Sequence, residues 1–205
     1  MNNQKQQKTA KYLAPMAKRF IGDKRGVAAL EFALIAPVLI LLYLGTVETT
    51  EGVNVNKDLG RAATMVADLV TQQTTVTTAQ LGDIMKIGQA TVLPYRRDTP
   101  QITITSIDIS AAGNATVLWS RRVVNGTESR PFNAGSAVTL DANLRIPSTT
   151  VVQVKAELAY VPIIPWTITG QTNTAAGASV IGIHMSKNTY GRIRQGSNAV
   201  TCTNC

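Results

Sequence analysis

The hydrophobic pattern of this chain changes period along its length. Residues 27–47 (VAALEFALIAPVLILLYLGTV) are almost wholly apolar. At about 1.5 Å per residue they make a helix roughly 31 Å long, the thickness of a bilayer core. Pro37 falls inside, where a kink or a neighbouring helix can absorb the lost hydrogen bond. Past Val47 the period becomes helical and one-sided. Leu59, Ala63, Val66 and Val70 share a face, with Ala62 and Leu69 beside them. One helix is therefore predicted to leave the membrane and run on to about Val70, its second half amphipathic and in need of a partner surface.

Residues 71–78 read as a polar, β-branched linker. Thr78 can cap a second helix that carries Leu81, Ile84, Met85 and Val92 on one face and ends before Pro94. Beyond Pro100 the period is that of strands. In residues 101–109, Ile102 and Ile104 point one way and Ile107 and Ile109 the other; a bulge near Thr105 and Ser106 would reconcile them. Ala111-Ala112-Gly113-Asn114 is a turn, and residues 116–124 return. In residues 151–160, Val152, Val154, Ala156, Leu158 and Tyr160 alternate with polar positions until Pro162 and Pro165 end the strand. Residues 178–185 make a fourth strand with Ile181, Ile183 and Met185 on one side. Helices followed by strands predict an α+β fold with a small antiparallel sheet of about four strands.

The formal charge of +8 changes this picture through its position. Lys5, Lys8, Lys11, Lys18, Arg19, Lys24 and Arg25, against Asp23 alone, put most of it ahead of the apolar segment. Basic residues on one flank of a membrane helix keep that flank in the cytoplasm. The folded part lacks a basic stripe, so no nucleic-acid partner is expected. The apolar run is longer than the core of a cleaved secretory signal, about 7–15 residues, and Glu48-Thr49-Thr50-Glu51 follows it instead of a small-residue cleavage site. The organisation expected is a basic cytoplasmic leader (1–26), a transmembrane helix (27–47) and an extracytoplasmic α+β domain (48–205) with a flexible C-terminal tail.

One acid, Glu31, stands inside the apolar run, where an ionised carboxylate costs about 2.5–3.5 kcal/mol on insertion scales. By itself it reads as a snorkelling side chain satisfied by Lys24 or Arg25. Its setting is more specific: Gly26, four residues, then Glu31 and Phe32. That spacing resembles the processing motif of type IV pilin-like proteins of the tight-adherence (Flp) type. The string from Arg25 to Pro37 resembles the N-terminal signature of TadE-like pseudopilins. The resemblance implies a prepilin peptidase cutting between Gly26 and Val27. The new α-amine of Val27 would be cationic near neutral pH. Glu31, about 6 Å further along the helix, could then pair with the amine of a neighbouring pilin subunit and fix the stagger of packed helices.

The remaining candidates read as structural. Cys202 and Cys205 have the spacing of a thiol oxidoreductase motif, but nothing near them in sequence would activate a thiol; in an oxidising compartment a disulfide between them is expected. Even with His184, the only histidine, they fall short of a structural zinc site. Asn114-Ala115-Thr116 and Asn125-Gly126-Thr127 fit the glycosylation tripeptide, which is common by chance, and Arg121-Arg122 reads as a solvated strand face. No catalytic triad, phosphate loop or metal cluster can be read. No enzymatic activity, cofactor or small-molecule substrate is expected. The leading expectation is a minor pilin or pseudopilin in the inner membrane that acts in assembly or initiation of a tight-adherence pilus. The alternative is an uncleaved, single-pass anchored binding module of a secretion or adhesion complex, and a tethered thiol oxidoreductase ranks third.

Overall fold

The structure is a computed structural model that describes residues 26–162, 172–175, 178–194 and 199–205. The basic leader, residues 1–25, and Pro165 lie outside the described residues. The chain divides into two compact units between Val47 and Glu48. Helix α1 (Val27–Thr71) contributes to both. In the first unit it is helical throughout, Pro37 included, and not one residue from Val27 to Val47 is buried.

The second unit has an α+β fold. Its part of α1 follows the predicted periodicity: Leu59, Ala62, Ala63, Val66 and Val70 are fully buried, while Leu69 is only half-buried. A short strand β1 (Thr75–Thr77) comes next and leads into helix α2 (Thr78–Ala90). The N-cap of α2 is Thr77, one residue ahead of the expected Thr78. Its hydroxyl accepts from the Gln80 amide, and the Gln80 side chain accepts from the Thr77 amide, a reciprocal box that satisfies two orphan donors. Leu81 and Met85 are buried on the inner face of α2, and Val92 follows in the turn after it.

The main sheet has five antiparallel strands in the order β4-β3-β2-β5-β8. These are β2 (Gln101–Ile109), β3 (Ala115–Val124), β4 (Thr127–Ser129), β5 (Thr149–Tyr160) and β8 (Ile183–Arg192). A hairpin of β6 (Thr172–Ala175) and β7 (Ala178–Ile181) stands apart as its own two-stranded sheet. The predicted alternation in β5 holds: Val152, Val154, Ala156, Leu158 and Tyr160 are buried and belong to the core that includes both helices. Ile102 and Ile104 join them from β2.

Four expectations need correction. The pairing of β2 with β5 runs without a break from Gln101 to Ile109, so β2 carries no bulge at Thr105 and Ser106. The register shift lies against β3, where Trp119 pairs with Ser106 and Val117 with Ile107, leaving Leu118 as the extra residue. Ile107 and Ile109 therefore keep to the opposite face of the sheet. They are buried there in a second apolar cluster with Ala115, Leu140 and Val151. The supposed strand over 178–185 is two strands, β7 and β8, separated at Gly182, and β8 continues to Arg192. Residues 71–78 are more than a linker, because β1 pairs in parallel with β9 (Thr201–Thr203). The C-terminal segment is correspondingly held: Val200 is fully buried and its carbonyl accepts from the Trp119 indole at 2.7 Å.

Two glycines set how closely the layers approach. A Cβ at Gly88 would stand 2.5 Å from a Val66 methyl and 2.8 Å from Ile102 Cδ1, so α2 can rest on α1 and β2 only without a side chain there. At Gly191 a Cβ would meet Thr71 Cγ2 at 2.8 Å, which lets β8 run tight beneath the end of α1.

Candidate functional site

In the first unit, the motif residues occupy the start of α1. Gly26 precedes the first helical residue, Val27, and a Cβ built on it would meet nothing within 4 Å among the described residues. Val27 is 48% exposed and Phe32 69% exposed, and Glu31 is exposed with them. Glu31 lies one helical turn into α1, about 6 Å along the axis from Val27. The peptide bond between Gly26 and Val27 and the carboxylate of Glu31 are thus presented on an unburied stretch of chain. No contact with the described residues dictates the glycine.

In the second unit, a cluster not singled out in the sequence surrounds Glu48. This residue is only 8% exposed. Tyr160, the last residue of β5, donates its hydroxyl to Glu48 Oε1 at 2.5 Å and to the Glu48 carbonyl at 3.3 Å. Arg97, in the loop after α2, places Nη1 3.7 Å from the same carboxylate oxygen and pairs through Nη2 with Glu51 at 2.9 Å. Its Nη1 also donates to the Val161 carbonyl. The guanidinium lies over two stacked rings, 5.3 Å from the Tyr95 centroid and 5.9 Å from that of Tyr160. Tyr95 donates to the Ala159 carbonyl and accepts from the Val161 amide, and Asp98 accepts from the Ala159 amide.

The electrostatics follow from this packing. Burial pushes the Tyr160 phenol well above its ordinary value, and the hydrogen bond to Glu48 and that residue's charge push it further. Burial raises the Tyr95 phenol too, partly offset by its bond from Val161 and the charge of Arg97. Burial by itself would lower Arg97, but the Glu51 carboxylate and the Tyr160 hydroxyl outweigh it and hold the guanidinium above its ordinary value. Both phenols stay protonated and the cation stays charged. The cluster is a clamp holding the loop after α2 and the end of β5 to residues 48–51 of α1, with no activated nucleophile in it.

Cys202 and Cys205 form a disulfide, with their Cα atoms 5.6 Å apart, at the end of β9. His184 Nε2 lies 3.5 Å from Glu157, where Lys155 and Arg122 approach the same carboxylate. Arg121 is half-buried instead of solvated and reaches the Asn204 carbonyl at 3.4 Å. No group of three His, Cys, Asp or Glu residues that could hold a metal occurs among the described residues.

The signal for the Glu48 clamp was faint. Glu48 and Glu51 are two acids one turn apart just past an apolar run. Their partners, however, lie 112 and 46 residues away in sequence.

Helix α1 is long and apolar enough to cross a membrane. No curated protein and no solved structure matches the chain. Residues 26–68, from the glycine of the motif through most of α1, match the family model described as TadE-like protein.

Proposed function

We propose that this protein is a membrane-anchored pseudopilin or minor pilin that takes part in assembly or initiation of a tight-adherence (Flp-type) pilus. Its leader is cytoplasmic and its α+β domain lies outside the inner membrane. A prepilin peptidase cuts between Gly26 and Val27, and the exposed apolar stretch of α1 then packs with the N-terminal helices of other pilin subunits. The observation that carries this reading is the conjunction at Gly26. The family match begins there, the apolar helix begins one residue later, and no packing among the described residues asks for a glycine at that position.

That last point makes the test clean. Gly26→Leu should leave the folded unit untouched, because among the described residues nothing packs against residue 26. In cells that carry the peptidase, the wild type should begin at Val27 and the variant should keep its leader, as read by intact mass and N-terminal sequencing. Wild-type protein that keeps residues 1–26 would instead favour an uncleaved anchored binding module.

A further inference from the structure

The two edges of the main sheet are unlike. β4 closes one edge with 3 residues, Thr127–Ser129. β8 closes the other with 10, Ile183–Arg192, and pairs with β5 along its whole length without a break. Its other side meets no strand among the described residues. β8 holds no proline and no bulge against β5, and its His184, Ser186 and Asn188 are exposed. An edge of this length, regularity and exposure presents a row of unpaired N–H and C=O groups, a template for a further strand.

β8 carries basic residues and no acid. Its Lys187 and Arg192 make no ion pair among the described residues. Lys187 is half-buried and sits opposite Ala156 of the core; its stem passes Gly60 of α1, with Cγ and Cδ 4.0 Å from where a Cβ would stand. Arg192 is exposed and sits opposite Val151, which belongs to the second apolar cluster on the other face of the sheet. The two charges therefore flank the same free edge from opposite faces.

We propose that the free side of β8 accepts an extended, acidic segment of another protein as an added strand of the sheet. Backbone hydrogen bonds supply the affinity, and the two cations supply the specificity. Side chains alternate with period two along a strand, so residues at an odd spacing fall on opposite faces. Carboxylates spaced as Lys187 and Arg192 are spaced then stand across from both cations, one on each face. The same charges turn away a second copy of this chain, since two β8 edges would bring cations only to cations. Every residue involved lies in the second unit, so this docking is independent of the pilus reading.

The test uses the full chain in detergent micelles and a synthetic Thr/Val peptide whose two glutamates have the spacing of Lys187 and Arg192. The controls are the same peptide with lysines in place of the glutamates, and the glutamate peptide with its amides N-methylated. Fluorescence anisotropy reads binding, and hydrogen exchange reads where it occurs. The glutamate peptide should bind at least about ten-fold more tightly than the lysine peptide, protect the amides of β8, and lose its binding on N-methylation. Arg192 is exposed, so Arg192→Glu should keep the unfolding midpoint and by itself cut the preference several-fold. Adding Lys187→Glu should reverse it. No binding of the glutamate peptide at millimolar concentration, equal binding of the two peptides, or binding indifferent to N-methylation would overturn the proposal. So would β8 amides whose protection, without peptide, grows with protein concentration, because a second copy would then hold the edge.

Discussion

The two parts of α1 on either side of Val47 are written in much the same apolar alphabet and meet opposite fates. In residues 27–47, Leu, Ile, Val and Ala occur all round the helix, and none is buried. In residues 48–71 the same residue types keep to one face, and Leu59, Ala62, Ala63, Val66 and Val70 lose all contact with solvent. The second part brings its cover with it, as α2 and the sheet. The first part has none among the described residues of its own unit, as expected of a helix long and apolar enough to cross a membrane. A helix that is apolar on every side is a demand on the surroundings, whereas a striped one is a contract with its own fold.

If the first part answers to other subunits, Glu31 should matter most. Glu31→Gln keeps size and hydrogen-bonding capacity and inserts at lower cost. Under the pairing mechanism, piliation should be largely lost while the inserted, cleaved protein persists, as read by electron microscopy and immunoblotting. A variant that is inserted, cleaved and fully piliated would sink the pairing. Next in size is a matched pair of truncations. Leu59→Ala should destabilise the second unit by about 2–5 kcal/mol in denaturant unfolding, the usual cost of a buried leucine cavity. Leu34→Ala should leave that unfolding curve unchanged, and an equal loss would show that the two parts are not independent.

A smaller effect concerns the clamp. Tyr160 and Tyr95 hold their protons in the fold above the ordinary value of 10.0. The unfolded chain ionises them first, so their contribution is complete below pH 10 and is lost as pH rises past it. Stability should therefore fall on the alkaline side, and Tyr160→Phe should flatten that fall while costing about 1–3 kcal/mol at neutral pH. An unchanged alkaline slope would mean the phenol is not held as described. The smallest effect should come from Cys202→Ser with Cys205→Ser. The bridge closes a loop with a sequence separation of only 3, which limits its worth to about 2 kcal/mol. Hydrogen exchange should quicken in Thr201–Thr203 before the global unfolding midpoint moves appreciably.

What could be read in the sequence was what local periodicity controls. The buried face of α1 and the alternation of β5 are each set within a few residues, and each stands in the structure at its expected place in the chain; the motif at Gly26 is equally local, and the family match begins there. The misreadings involve partners far away. Thr75–Thr77 is too short to be read as a strand, and its pairing depends on residues 126 positions later. In β2 the isoleucines on opposite sides looked like one face interrupted, because a second apolar cluster under Leu140 could not be foreseen from β2 itself. The Glu48 clamp escaped notice for the same reason. Glu48, Arg97 and Tyr160 are unremarkable singly and acquire meaning only when the sheet brings them together.

The pairing of β9 with β1 also sets an order of events. Val200 completes the core, and Thr201–Thr203 locks the segment between the two helices. Until residues 200–203 have been made, the Trp119 indole lacks its acceptor and β1 lacks its neighbour, so the seam ahead of α2 cannot close by local folding alone.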